Sequence, residues 1–337
     1  MSQLEVKDLR VTFPTSAGDL QAVRGISFQL QPGRTLALIG ESGSGKSVTG
    51  RAIMGLNAKK ALSTGEILLD GQDLLTLSES AMCPIRGKRI AMVFQDPMSS
   101  LNPIMRIGKQ ITEVMDLPKK QAKEKALNLL REVGIRDPEG CFHQYPFQLS
   151  GGMRQRIVIA IALAADPEIL ICDEPTTALD VTIQAQILEL LNKLKQQRSL
   201  SMLFITHDFG VVANVADDIA VMYAGKIVEY GTLEEIFYDP RHPYTWALLS
   251  AMPDLRTTGR LYAIAGTPPN MVCPPPGDAF APRNPQALEI DFQKEPPPFY
   301  VSDSHWAATW LLDPRAPQAQ MPAPLQQRLK GSGQYES

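Results

Sequence analysis

Cysteine is scarce in this sequence, and its spacing carries no recognisable ligand pattern. The 337 residues include four cysteines, which lie far apart and form no CxxC pair: Cys83, Cys141, Cys172 and Cys273. Neither a disulfide framework nor a zinc site is therefore indicated. Cys172 lies in an apolar run and is expected to be a small core residue. This usage of cysteine fits a reducing compartment.

A long hydrophobic run and a strong charge imbalance are also missing. No segment reaches the ~18 apolar residues that span a bilayer, and the longest candidate, 157–165, is about half that length. Residues 1–10 mix charges and lack an apolar core, so they are not expected to be a secretory signal. The formal net charge of −3 gives no support for nucleic acid or an anionic membrane surface as the main partner. If the protein works at a membrane, other chains must anchor it.

The sequence does contain short apolar runs that alternate with helical segments. A length of 337 residues suits one large α/β domain with an extension, or two modest domains. Continuous apolar runs at 36–39, 168–172 and 202–206 predict buried parallel strands. A helix predicted at 184–196 lies between the last two and completes a βαβ unit, so we expect a mostly parallel core sheet.

Other segments predict exposed strands and an inserted helical region. Residues 4–13 and 23–30 alternate roughly between apolar and polar side chains, as half-exposed strands do. Apolar residues recur at helical spacing over 119–133. This helix falls within a segment, about 97–160, that is predicted to be mainly helical and to lie between strands.

The composition changes near residue 253. Proline becomes dense over 253–324, and helical periodicity there is poor. We therefore predict a main domain at 1–252, a small irregular C-terminal extension at 253–317, and a mobile tail at 318–337.

One glycine-rich loop fits the pattern G-x-x-x-x-G-K-[ST] completely. An apolar strand precedes it and a helix is predicted after it, over 48–56, which disfavours the alternative of a chance match in a flexible loop. Its glycines let backbone N–H groups approach phosphate oxygens, and the helix N-terminus adds a favourable dipole. Lys46 is expected to reach the β- and γ-phosphates of ATP, and Ser47 to give a hydroxyl ligand to Mg²⁺. The predicted nucleotide-binding residues here are Gly40, Glu41, Ser42, Gly43, Ser44, Gly45, Lys46, Ser47 and Val48.

A second motif is an apolar strand that ends in two acids, at 169–175. Asp173 is expected to hold Mg²⁺ through water, and Glu174 to act as general base on the attacking water. The alternative is a strand that merely ends in exposed acids. Its position downstream of the phosphate-binding loop favours the hydrolytic interpretation.

A third motif, LSGGMRQR at 149–156, combines a helix N-cap with two glycines. Ser150 is a good N-cap, and Gly151 and Gly152 expose N–H groups ahead of an apolar helix. By spacing alone, a simple capped helix after a loop is the favoured interpretation. An anion-binding helix terminus is the alternative.

In combination these motifs resemble the ATP-binding cassette family. That family has an LSGGQ-like signature loop, which reads LSGGM here and keeps the serine and both glycines. Further family markers follow in order: Gln95 matches the Q-loop, 177–180 matches the D-loop, and His207 matches the switch histidine. The resemblance covers about residues 3–250.

This resemblance implies a P-loop NTPase cassette with a mostly parallel core sheet, an antiparallel β-subdomain and an inserted helical subdomain. It implies that Gln95, Glu174 and His207 are catalytic, and that Gln95 also contacts Mg²⁺. Phe13 lies where the family stacks an aromatic ring on adenine, and a core position is the alternative. Two cassettes are expected to face each other head to tail, so that Ser150 and Gly152 touch the γ-phosphate held by a partner.

The C-terminal region resembles the oligopeptide and dipeptide permease group of this family. The residues that carry this resemblance are at 94–103, 241–245 and 266–269. It implies a subunit that energises oligopeptide import at the cytoplasmic face of the cell membrane. The implied partners are two membrane-spanning permease subunits, a second cassette subunit that is a different chain, and indirectly an extracytoplasmic peptide-binding lipoprotein, with no nucleic acid. The alternatives are an importer of dipeptides, nickel, glutathione or glycosides, and a soluble cassette ATPase that acts on nucleic acid or ribosomes.

Many members of this group carry four cysteines in the extension that bind an iron–sulfur cluster. None of the corresponding residues here is a thiolate ligand: Asp278, Asn284, Asp291 and Thr309. We therefore expect no cluster. Packing of five aromatic residues is expected to hold the extension together: Phe280, Phe292, Phe299, Trp306 and Trp310. A partner interface is the alternative role for these residues.

Overall fold

The computed structural model describes residues 3–177, 179–252 and 264–332. Two sheets and a set of helices make up this part of the chain. The strands are β1 Leu4–Thr15, β2 Gly18–Leu30, β3 Thr35–Ile39, β4 Leu62–Leu69, β5 Gln72–Asp73, β6 Ile90–Val93, β7 Ile169–Asp173, β8 Ser201–Thr206, β9 Asp218–Tyr223, β10 Lys226–Thr232, β11 Phe299–Tyr300 and β12 Trp306–Ala307. The helices are α1 Lys46–Ile53, α2 Glu79–Met82, α3 Pro97–Ser100, α4 Ile107–Thr112, α5 Lys119–Glu132, α6 Pro138–His143, α7 Gly151–Leu163, α8 Val181–Arg198, α9 Phe209–Val212, α10 Leu233–Tyr238, α11 Pro243–Ser250 and α12 Ala323–Ser332.

The main sheet has the strand order β11-β12-β10-β9-β3-β8-β7-β6 within the described residues. Strands β6, β7, β8, β3 and β9 are parallel, and the continuous apolar runs predicted three of them, β3, β7 and β8. Every residue of β3, β7 and β8 is buried, because helices or the second sheet cover both faces. The predicted βαβ unit is β7-α8-β8. Its helix begins at Val181, where the Asp180 carboxylate accepts a hydrogen bond from the Ile183 N–H at 2.9 Å.

The second sheet is antiparallel, with the order β2-β1-β4-β5. Strand β2 begins earlier than the alternation predicts, because a tight hairpin pairs Thr15 with Gly18 and Phe13 with Leu20. The apolar face of this sheet and residues of α1, β3, β7 and β8 share one hydrophobic cluster. A separate cluster joins helices α4, α5 and α7, which lie in the insertion between β6 and β7, to the other face of β6, β7 and β8.

The C-terminal extension adds to the main sheet. Strand β12 pairs with β10, with Tyr230 opposite Trp306, and β11 pairs with β12. Phe280 and Trp310 are buried, which agrees with the expected aromatic packing, and Trp306 stacks on Tyr230. Phe292 differs from that expectation, since it is 53% exposed on a short 3-10 turn. The domain boundary predicted near residue 253 falls outside the described residues.

The segment expected to be a mobile tail, 318–337, is described up to residue 332, and part of it is helical. Helix α12 occupies Ala323–Ser332, and Leu325 on it is only 1% exposed, within the cluster that includes Leu249 of α11. Burial of Leu325 stabilises the packing of this segment. The proline-rich sequence around it does not indicate this contact. Within the described ranges, no helix is both long enough and apolar enough to span a bilayer.

Candidate functional site

The predicted site residues meet at the carboxyl ends of three adjacent strands. Strand β3 pairs with β8 up to Ile39 and Thr206, and β8 pairs with β7 up to Ile205 and Asp173. The segments that leave these strands therefore emerge side by side, in the place where open α/β sheets bind ligands. They carry the glycine-rich loop, the acidic pair and the predicted switch histidine.

Two glycines in the loop are required by their surroundings. A Cβ atom on Gly40 would lie 2.0 Å from the Met222 carbonyl oxygen. Gly45 has φ +102°, a conformation that side chains rarely adopt, and a Cβ there would lie 2.4 Å from the Ala22 carbonyl oxygen. These contacts press the loop against neighbouring strands, and helix α1 starts directly after it at Lys46. The helix ends at Ile53, earlier than predicted, because the chain turns at Gly55 with φ +61°.

Lys46 lies inside the loop and only 4% exposed. Its Nζ donates hydrogen bonds to the carbonyl oxygens of Gly40 at 2.8 Å and Glu41 at 2.9 Å. Burial lowers the pKa of Lys46, and the nearby negative charges of Glu174, Asp173 and Glu41 oppose that shift. The ammonium group is thus fixed where a phosphate group on the loop would meet it.

Two of the three predicted magnesium ligands, Ser47 and Asp173, are in direct contact. The Ser47 Oγ donates a hydrogen bond to the Asp173 Oδ1 at 2.7 Å. Asp173 is 1% exposed, and burial raises its pKa while the Ser47 hydroxyl and the charge of Arg51 oppose the rise. A hydroxyl and a carboxylate are hard oxygen donors, which fit Mg²⁺. The third candidate, Gln95, contacts the neighbouring acid instead.

Two of the three predicted catalytic residues contact the carboxylate of the third, Glu174. Glu174 Oε2 accepts a hydrogen bond from Gln95 Nε2 at 3.0 Å, and Glu174 Oε1 lies 3.2 Å from His207 Nδ1. Thr177, which the sequence places only within the D-loop, also donates to Glu174 Oε2, at 2.8 Å. The backbone of Glu174 is left-handed, with φ 48°. Such strain costs about 1–3 kcal/mol in a non-glycine residue and is typical of functional positions.

The LSGGM motif forms the N-terminus of α7, as predicted. Ser150 caps this helix and accepts a hydrogen bond from the Met153 N–H at 3.4 Å. A Cβ on Gly152 would lie 2.9 Å from Ile183 of α8, so glycine allows the two helices to approach. Ser150 and Gly151 are exposed, and Ser150 and Gly152 line an open depression of about 510 Å³. In the described ranges, no hydrogen bond or ion pair joins this motif to the phosphate-binding loop.

Phe13 lies away from these groups along the chain, on β1. Its side chain is half-buried and packs against the cluster shared by the antiparallel sheet and α1, as does Val48. This packing buries part of the Phe13 ring. Stacking of Phe13 on adenine stays a prediction.

Tyr244 of α11 and Arg283 of the extension both contact the phosphate-binding loop, which sequence reasoning missed. The Glu41 N–H donates to the Tyr244 hydroxyl oxygen at 2.8 Å. The Glu41 carboxylate accepts two hydrogen bonds from the Arg283 guanidinium. Tyr244 and Arg283 lie in segments that the sequence marks for other reasons, and no local pattern links them to Glu41.

Side-chain oxygens occupy the four positions at which the family resemblance placed cluster-binding cysteines. All four residues are buried, and each accepts a hydrogen bond from a backbone N–H: Asp278 from Phe280, Asn284 from Gln286, Asp291 from Leu288 and Thr309 from Leu311. Iron–sulfur clusters are held by thiolates, so these residues do not fit one.

The parallel sheet, the phosphate-binding loop and the acidic pair define a P-loop cassette ATPase. The chain belongs to the ABC transporter family. A profile described as ABC transporter matches residues 23–177, and a second one, described as oligopeptide/dipeptide transporter, C-terminal region, matches residues 228–290.

Curated relatives extend over nearly the whole chain. The oligopeptide transport ATP-binding protein OppD of Bacillus subtilis is 57% identical over 97% of this chain and 94% of its own length. The dipeptide transport ATP-binding protein DppD of Lactococcus lactis is 60% identical over 93% of this chain and 92% of its own length.

Solved structures with the same fold cover the cassette. A dimeric bacterial ABC transporter cassette has a TM-score of 0.61 and 26% identity over 68% of this chain and 98% of its own. A dimeric post-hydrolysis state of an ATP-binding cassette, bound to ADP and phosphate, matches with the same values, a TM-score of 0.61 and 26% identity over 68% of this chain and 98% of its own.

Proposed function

We propose that this chain is the ATP-hydrolysing subunit that energises import of oligopeptides through an ABC transporter. The observation that carries the enzymatic part is the convergence of Gln95, Thr177 and His207 on Glu174, beside the phosphate-binding loop. The C-terminal region and the names of the curated relatives support the peptide substrate. Dipeptides are the second candidate, because the Lactococcus lactis relative is a dipeptide transport protein.

The chemistry assigns one role to each group. Loop N–H groups and Lys46 bind the phosphates of ATP. Ser47 and Asp173 hold Mg²⁺, which when bound neutralises phosphate charge. Glu174 accepts the proton of the attacking water, since its carboxylate directly follows Asp173 in the chain and is oriented by Gln95, Thr177 and His207. Gln95 and His207 fix the orientation of that carboxylate through their hydrogen bonds.

The site is proposed to be complete only in a pair of cassettes. Ser150 is exposed and Gly152 is half-buried, and among the described residues no hydrogen bond joins them to the phosphate-binding loop. We assign them to the γ-phosphate held by a partner cassette, for which the exposed helix N-terminus of α7 offers N–H donors. The dimeric state of the solved relatives supports this pairing. The partner is proposed to be a second, different cassette chain.

Membrane attachment is proposed to come from partners. The assembly would contain two permease subunits, and an extracytoplasmic peptide-binding lipoprotein would deliver the peptide to them. The chain then works at the cytoplasmic face of the membrane as a peripheral subunit.

The extension is proposed to fold without an iron–sulfur cluster. The hydrogen bonds of Asp278, Asn284, Asp291 and Thr309 to backbone N–H groups replace covalent cross-linking at those positions. Anaerobically purified protein is expected to contain no stoichiometric iron and sulfide, and finding both would contradict this proposal.

The assembly can be tested by affinity purification of the tagged chain from membranes, followed by mass spectrometry. Permease subunits and a second cassette chain are expected to co-purify. Recovery of ribosomal proteins or nucleic acid in their place would refute the transport assignment.

A further inference from the structure

Glu41 places a negative charge in a loop that binds phosphate, and this charge has the same sign as that of the ligand. Glu41 follows Gly40 directly in the loop, and its carbonyl oxygen accepts a hydrogen bond from the Lys46 Nζ at 2.9 Å, so the residue that carries this charge contacts the loop's cation. An unpaired carboxylate in this loop would oppose the binding of a triphosphate. The loop therefore needs a counter-charge for Glu41.

Arg283 of the extension supplies that counter-charge. Its Nη1 donates to Glu41 Oε2 at 2.7 Å, and its Nη2 donates to Glu41 Oε1 at 2.9 Å. These two parallel bonds make a bidentate pair, which is stronger and more directional than a single contact. The Arg283 side chain is 5% exposed and that of Glu41 is 26% exposed, so water screens the pair only weakly.

Other contacts hold Arg283 in place independently of Glu41. Its Nε donates to the Ala265 carbonyl oxygen at 2.9 Å, and its Nη1 donates to the Tyr223 hydroxyl at 3.2 Å. The guanidinium carbon lies 5.7 Å from the ring centroid of Tyr223 and 5.9 Å from that of Phe280. The cation is thus oriented before nucleotide arrives, and no ordering cost is added on binding.

The backbone of Glu41 is fixed as well. Its N–H donates to the hydroxyl of Tyr244, which is fully buried on α11. The carbonyl oxygen of Glu41 accepts a hydrogen bond from the Lys46 Nζ. Side chain, N–H and carbonyl of Glu41 are therefore each tied down, and two of the three partners lie outside the cassette motifs.

We propose that Arg283 is a positioning residue of the nucleotide site, which neutralises and orients Glu41 so that the first half of the loop accepts the triphosphate. The inference rests on the proposed role of residues 40–47 as the phosphate site. It gives the extension a direct part in ATP binding. The competing explanation is a purely structural role, in which the same ion pair only attaches the extension to the cassette.

The two explanations differ in what happens when Glu41 loses its charge. The test measures Mg–ATP binding to the full-length chain for Arg283→Met, Glu41→Gln and the double variant, with the melting temperature of each without nucleotide. Arg283→Met is expected to weaken binding about tenfold, because Glu41 is then unpaired. In the double variant most of that loss is expected to be recovered, because the repulsive charge is gone.

The proposal is overturned if the double variant binds Mg–ATP as weakly as Arg283→Met, since a purely structural contact is not restored when its second partner, Glu41, is also changed. It is also overturned if Arg283→Met binds ATP like the parent. Should Arg283→Met fail to fold, Arg283→Lys takes its place. Arg283→Lys keeps the positive charge but loses the two parallel N–H donors of the guanidinium. ATP binding that is about threefold weaker, and that Glu41→Gln restores, supports the proposal. Binding equal to that of the parent overturns it.

Lys46→Ala separates this inference from the proposed function on which it rests. If Lys46→Ala binds ATP as tightly as the parent, the phosphate site itself is assigned to the wrong loop. If Lys46→Ala abolishes binding while Arg283→Met leaves it unchanged, only the positioning role of Arg283 is wrong.

Discussion

Replacing Glu174 by glutamine tests the proposed general base most selectively. The carboxylate accepts from Gln95 and Thr177 at Oε2 and lies beside His207 at Oε1. A glutamine carbonyl oxygen at the Oε2 position can accept the same two hydrogen bonds, and its amide can donate to a neutral His207. The site is therefore expected to keep its geometry and its affinity for ATP while it loses the base.

The magnitude follows from that separation. General-base catalysis contributes typically about 10²–10⁴-fold, so kcat is expected to fall by that factor, or about 3–5 kcal/mol of activation free energy. The assay is phosphate release by the complex assembled in membranes, with ATP binding measured in parallel. Glu189→Gln, an exposed change on α8, is the matched control and is expected to keep the parental rate. Hydrolysis by Glu174→Gln at the parental rate in the assembled complex would refute the assignment.

Three further predictions concern stability. Gly40→Ala places a Cβ 2.0 Å from the Met222 oxygen and is expected to lower the free energy of unfolding, measured in urea, by about 2–3 kcal/mol. Gly151→Ala is the control with little expected effect, because the nearest neighbour of its Cβ is 4.0 Å away. Equal losses of stability in the two variants would contradict the packing around Gly40. Burial raises the pKa of Asp278 to about 6, so the folded state holds this proton more tightly and the free energy of unfolding should fall as the pH rises from about 4 to about 6. Asp278→Asn is expected to remove that fall, about 2–3 kcal/mol, and an unchanged pH profile would count against the burial argument. Leu325→Ala is expected to cost about 2–3 kcal/mol if α12 packs as described, and no effect would indicate a tail that does not contribute.

Features set by local sequence were predictable. The strand before Gly40 and the helix from Lys46 follow from apolar runs and the loop pattern, and both are present. The βαβ unit and the fold class are confirmed as well. The family resemblance implied that Gln95, Glu174 and His207 are catalytic, and those roles stay predictions. The structure brings Gln95 and His207 to the Glu174 carboxylate, because the carboxyl ends of parallel strands meet at one edge.

Contacts between distant segments were not predictable from the sequence. Glu41 and Arg283 are 242 positions apart, and neither position has a periodicity that reports its partner. The pairing of β12 with β10 joins a proline-rich region to the main sheet, although composition alone indicates an irregular extension. Phe292 was expected in the core because it is aromatic, but its place on a short surface turn leaves it exposed.

Peptide uptake by proteoliposomes tests the central claim most directly. The complex would be purified through the tagged chain and reconstituted with the binding protein, with ATP supplied on the side of the cassettes and labelled peptides of graded length on the other. The account predicts ATP-dependent accumulation of oligopeptides, and its loss when this chain carries Glu174→Gln. Uptake that persists with Glu174→Gln, or a complex that accumulates nickel or glycosides but no peptide, would contradict it.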